Sequence, residues 1–274
     1  MTMTPSNRVR VEAVTDRQQM VELQSETEDF VWKGLFKVGG IAALIAGLVF
    51  RRNLGAELTL LRGSGLITGG PATSPETVLD WFALLQNNPL LGLTWLNLFD
   101  VVNYILVGLM FLALFAALRR VNQSAMTIAA ALVFAGVVIY LASNQALTIF
   151  SLSDQYATAT TDAQRSMLLA AGQATLAIHY NAGYEGTGLY LSFFCVTVAG
   201  LISSAVMLRS RIFSKVTAYV GLLANGFGLG YYLVLAFAPA MIALPLSISA
   251  IFLLTWYVLI GRQLWTNHLI HLGS

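Results

Sequence analysis

Of 274 residues, 57% are apolar and 10% charged, and the mean hydropathy is +0.72; this excludes a soluble domain, in which about a quarter of residues carry charge. A net charge of +2 without any basic run excludes a nucleic-acid-binding protein, which needs many phosphate contacts. One cysteine, Cys195, excludes an intrachain disulfide and the paired-thiol chemistry of quinone-linked oxidoreductases.

Residues 1–32 place Arg8, Arg10, Glu12, Asp16 and Arg17 before any apolar run, so they do not read as a cleaved signal peptide. Thr15 with Gln18 fits a capping box, and the segment is expected to be a cytoplasmic amphipathic arm. The first span covers residues 34–50, between Trp32 and Lys33 on one side and Arg51 and Arg52 on the other. Its Gly39, Ala43 and Gly47 recur every fourth residue, which lets a second helix backbone approach closely.

Residues 51–89 form an outer loop with GSG and GGP turns. Ser74 and Pro75 stand as N-cap and first residue of a helix, and Val78, Leu79, Trp81, Phe82 and Leu85 make it amphipathic and interfacial. The second span runs over 90–118 and stops at Arg119 and Arg120. The third begins near 124, continues to 149 and forms a tight hairpin with the second.

About forty mostly apolar residues from 167 to 208 are interrupted by GYEGTG at 183–188. Cytoplasmic loops near span ends are enriched in Lys and Arg. Six spans with the N-terminus inside put 11 of the 15 basic residues on the inner side, whereas a further span over 167–182 spoils that asymmetry. Residues 163–182 are therefore expected to be an outer interfacial or re-entrant helix. The last spans are 216–237 and 242–260, and the membrane domain covers 33–262. The tail, 263–274, is cytoplasmic, and Trp32, Trp95, Trp256 and Tyr257 fit an aromatic belt. The expected fold is thus all-α: a six-span transmembrane bundle with one extra outer helix, in the cell's inner (plasma) membrane with both termini cytoplasmic.

The stretch WLNLFDVVNY at 95–104 sets Asn97, Asp100 and Asn103 in an apolar run, and an intramembrane carboxylate marks a functional site by default. On one helix, Asn97, Asp100 and Tyr104 fall within about 60° of each other, with Asn103 further round. Depth matching in the hairpin sets Asp100 opposite Ser143 and Asn144, and Asn103 opposite Tyr140. The stripe can be read as a polar tie between two helices or as a binding site. His179 and Glu185 flank the glycine-rich break and join the candidates. Asp100, His179 and Glu185 are ligand types that zinc accepts, but no HExxH or clustered histidine spacing accompanies them, and no metal or cofactor is expected. Asn225 lies near the middle of the fifth span, beside the small-xxx-small pair Gly226 and Gly230, as a helix-to-helix hydrogen bond or a pathway amide.

Several membrane-enzyme classes fail on explicit grounds. GSG at 63–65 lies in a polar loop, away from any intramembrane serine-protease context. Lys33, Lys37 and Lys215 stand at span ends, where none can carry a retinal Schiff base, and paired histidines for haem are missing from the spans.

KVGGIAALIAGLVF in the first span, LFDVVNYILVGLMFLALFAALRRVN in the second, His179 followed by glycines and LYLSFF, and LRSRIFSKVTAYVGLLANGFGLGYYL together resemble an uncharacterised family of multi-span prokaryotic membrane proteins, the domain of unknown function 4386 family. The likeness covers roughly residues 33–260. Where that family's turn is expected to carry proline, this chain has Ser214 and Lys215. The resemblance implies architecture and carries no activity.

The leading expectation is a non-enzymatic membrane protein with an outward-facing polar site that binds or passes a small molecule, lipid or ion. The alternatives are a membrane-embedded enzyme acting on a lipid or isoprenoid through Asp100, His179 and Glu185, and a structural or assembly subunit. Expected partners are the lipid bilayer, a small hydrophobic ligand or ion, and a second copy or another membrane subunit.

Overall fold

The computed structural model describes residues 34–49, 75–181 and 184–270, without the side chains of 179–181, 184–185 and 267–270. The arm expected over 1–32, the glycine turns of the 51–89 loop, the Ser74 cap, and the side chains of His179 and Glu185 lie outside the described residues. The molecule is a bundle of helices, five of them long and apolar enough to cross a membrane. Among the described residues the only strands are β1 (Tyr180–Asn181) and β2 (Tyr184–Glu185), an antiparallel pair in the glycine-rich break.

The long apolar helices are α4 (Leu98–Leu118), α5 (Gln123–Ser143) with its continuation α6 (Ala146–Thr158), α8 (Thr187–Met207), α9 (Lys215–Phe237) and α10 (Ala243–Ile270). Sequential helices run antiparallel. Tyr104 of α4 stacks on Tyr140 of α5 with ring centroids 3.9 Å apart. Gly136 of α5 meets Ser192 and Cys195 of α8 so closely that an added Cβ would lie 3.0 Å from the Ser192 carbonyl oxygen. Tyr232 of α9 donates to the Tyr190 carbonyl of α8 at 2.7 Å. Ser249 of α10 donates to the Ala224 carbonyl of α9 at 2.7 Å.

At the other end of α9, Ser214 caps the helix by accepting from the Thr217 amide at 3.2 Å. Gln263 of α10 completes that turn, accepting from the Thr217 hydroxyl at 3.1 Å. Gln263 belongs to a helix that continues to Ile270, so the expected tail boundary at 262 falls inside α10. Leu264, just past that boundary, is fully buried in the main core.

A sixth apolar helix, α1 (Gly34–Val49), is shorter. It lies between α4 and α10 on its small residues: a Cβ on Gly39 would collide with the Ala113 side chain, and one on Gly40 would stand 3.3 Å from the Gly261 carbonyl oxygen. Ala43 is fully buried on the same face. Val38, Ile41, Ile45 and Leu48 face outward, and Leu233, Phe237, Ile251 and Val258 are likewise exposed on α9 and α10. A surface of this kind suits hydrocarbon and not water.

The expected third span, 124–149, divides instead at Asn144, whose backbone is extended. Residues 123–158 form a run of 36 residues, about 54 Å at helical rise, against a hydrocarbon core of about 30 Å. Its second half, α6, packs mainly on helices other than the five long ones. There α6 joins α2 (Val78–Asn87), α3 (Pro89–Trp95) and α7 (Asp162–His179) in a four-helix canopy. The canopy has its own core of Trp81, Phe82, Leu85, Leu96, Ala146, Ile149 and Leu176. Buried Ser153 donates to the Phe82 carbonyl at 3.1 Å, and Gln86 returns a bond to the Ser153 carbonyl at 3.0 Å. The apolar face of α2 thus turns to α6 and α7. Helix α2 begins at Val78 and not at Pro75, because Thr77 and Asp80 form a full capping box. Thr77 holds the Asp80 carboxyl below its usual value through hydrogen bonds from its hydroxyl and its amide.

Candidate functional site

The expected second span does not run unbroken from 90 to 118. It divides at Leu96 and Asn97, where α3 ends and α4 begins. Asn97 takes φ 57, the one left-handed backbone among the described non-glycine residues. Asparagine tolerates that conformation better than most residues, at a cost of about 1–2 kcal/mol per residue. The break turns the Asn97 carbonyl off the helix axis, and it accepts from the Asp100 amide at 3.1 Å and the Tyr140 hydroxyl at 3.0 Å. Asn144 stands by, with Nδ2 at 3.5 Å from the same carbonyl and 3.4 Å from the Tyr140 oxygen. Its Oδ1 accepts from the Ala146 amide at 3.1 Å, which starts α6.

Asn97, Tyr140 and Asn144 therefore come together where the bundle meets the canopy, and Asp100 opens the first turn of α4 beside them. The register follows depth matching, since Tyr104 stacks on Tyr140 and Gly108 lies against Val137 and Phe134; the Tyr140 hydroxyl reaches one turn further to Asn97, and Ser143 bonds its own helix at the Ile139 carbonyl, 2.7 Å away, against Gly188. Asn97 acts through its backbone and not through membership of a side-chain stripe. Asp100 is half-buried. Asn103 is buried, and its Oδ1 has no hydrogen-bond partner.

His179 closes α7, and the short hairpin pairs Tyr180 with Glu185, which brings the two chain positions near each other in the backbone. Among the described residues no group of three metal-ligating side chains comes together. No family model, curated protein or solved structure matches the chain. Its chemistry is read from its own geometry.

Asn225 sits apart from this cluster, buried halfway along α9, with Nδ2 donating to the Gly221 carbonyl at 2.7 Å. Its amide fills the space a Cβ on Gly200 would need, and Gly221 gives the same room to the Ser204 hydroxyl and the Trp256 indole nitrogen. Trp256 and Tyr257, expected in an aromatic belt, are 1% and 3% exposed in the core instead. Their place depends on glycines of neighbouring helices, which one helix's sequence does not reveal. Thr197, Ser204 and Ser249 were equally hidden, since a lone hydroxyl in an apolar span commonly bonds its own helix.

Proposed function

We propose that this is a six-span, non-enzymatic membrane protein whose polar cluster beneath the canopy binds or passes a small molecule, lipid or ion. Helix α1 is the sixth span, and the canopy is the outer face. Lys37, Arg119, Arg120, Arg209, Arg211, Lys215 and Arg262 gather at the end opposite the canopy. The described acidic residues Glu76, Asp80, Asp100, Asp154, Asp162 and Glu185 all lie on the canopy side, where Arg165 is the one described basic residue. By the positive-inside rule the basic end faces the cytoplasm of the plasma membrane, and both termini with it.

One observation carries the binding role. A left-handed Asn97 is held by Tyr140 and beside Asn144 and Asp100 at the junction of two helical layers. Backbone strain of this kind persists where surrounding groups over-determine it, and it clusters at ligand sites. The test is a thermal-shift survey of monovalent and divalent cations, small polar molecules and lipids on wild type and Asp100→Asn. A class that stabilises the wild type and not the variant supports the reading; a survey with no such difference defeats it.

A further inference from the structure

Between α4, α8, α9 and α10 the helices enclose a cavity at the level of Asn225, with about 20 Å³ open to water centres. Phe111, Phe193, Thr197, Asn225, Ser249 and Trp256 border it. One water needs about 10–15 Å³ by this measure and two to four polar partners. The space suffices for one.

The polar groups narrow the occupant. Thr197 and Ser249 have given their protons to the carbonyls of Phe193, at 2.6 Å, and Ala224, at 2.7 Å, so each hydroxyl can only accept. Asn225 has committed one amide proton to Gly221. The Trp256 indole nitrogen is buried and has no hydrogen-bond partner, and it can only donate. An apolar guest would leave the Trp256 indole N–H without an acceptor. A cation would meet no carboxylate among these lining residues and would face an N–H.

We infer that this cavity is a binding site for one neutral molecule of water's size that both donates and accepts, namely water, held by Asn225, Thr197, Ser249 and Trp256. It is distinct from the cluster at Asn97 and stands whether or not that cluster binds a ligand. The water joins three helices at mid-depth where their direct bonds are few.

A density map of full-length protein in lipid nanodiscs, resolving ordered water, tests this directly. The expected result is a peak within hydrogen-bond distance of at least two of the four side chains, and a cavity without density overturns the proposal. Thr197→Val keeps the shape and removes one acceptor, so its thermal midpoint is expected to fall; a midpoint unchanged or raised marks a dry cavity and also overturns it. Should that variant not fold, nitrogen-15 spectra of tryptophan-labelled wild type, assigned with Trp256→Phe, give a second reading. Magnetisation transfer from water to the Trp256 indole proton is expected, and its absence counts against the site.

Discussion

The Tyr140 hydroxyl lies 3.0 Å from the carbonyl oxygen of Asn97, 43 positions earlier in the chain. That bond fixes the bend between α3 and α4 to the end of α5, and so couples the canopy to the bundle. Tyr140→Phe keeps the stack on Tyr104 and removes the donor. A loss of about 0.6 kcal/mol is expected, the average for side-chain hydrogen bonds between membrane helices, measured by reversible unfolding in mixed micelles.

Asn97 is expected to respond to backbone and not to side-chain chemistry. Asn97→Gly removes the steric penalty of the left-handed conformation and leaves stability unchanged or slightly raised. Asn97→Ala keeps a Cβ without local hydrogen bonding and costs about 1–2 kcal/mol. Equal losses from both would show that the amide side chain is the important part.

Asp100→Asn retains hydrogen bonding and removes a charge from the half-buried first turn of α4. Fold and stability are expected to persist, while any shift of thermal midpoint with pH or divalent cations in the wild type disappears. Identical profiles for both proteins would reduce Asp100 to a helix tie.

Two glycine substitutions are expected to separate packing from composition. Gly39→Ala drives a methyl into Ala113, which has no rotamer to escape through, so a loss of about 1–3 kcal/mol is expected, with recovery on adding Ala113→Gly. Gly226→Ala meets nothing within 4 Å and gains helix propensity, which raises stability by up to about 1 kcal/mol. Thermal midpoints of the four proteins check both, and a harmless Gly39→Ala would contradict the close approach of α1 and α4.

The capping box of α2 has a definite pH sign. Because the Asp80 carboxyl is held below its ordinary value of 3.8, its contribution is complete above that pH and is lost as pH falls through the lowered value. Canopy stability, followed by the near-ultraviolet signal of Trp81, is expected to weaken in that acid window for wild type. Asp80→Asn should show no such titration; an identical acid response in both would place its origin elsewhere.

Much of the architecture was legible because apolar length speaks directly: the positions of α4, α8, α9 and α10 follow from runs that hydrocarbon requires. Gly39, Ala43 and Gly47 were legible as a contact face for the same reason, since small residues at helical spacing leave room for a neighbour. The breaks were not. Asn97 is a residue type that tolerates a left-handed backbone, but the Tyr140 bond that accompanies the bend comes from another helix and cannot be read from this segment. The canopy also escaped notice, since an amphipathic helix such as α2 has the same pattern whether a bilayer or α6 and α7 cover it. At the site, Asp100 and Asn225 stood out by residue type, whereas Trp256, Thr197 and Ser249 acquire a shared cavity only once α8, α9 and α10 are placed.

The middle of the bundle is polar yet uncharged: Thr197, Ser204, Asn225, Ser249 and Trp256 offer dipoles and no formal charge. A membrane potential does work on charge, about 2.3 kcal/mol per elementary charge for each 100 mV crossed, and it finds none to move at this level. In α4, α5, α8, α9 and α10 the one acidic residue, Asp100, stands in the first turn of α4 at the edge of the bundle, where little of the field has been traversed. The side chains at this level therefore offer a membrane field dipoles to orient and no formal charge to displace.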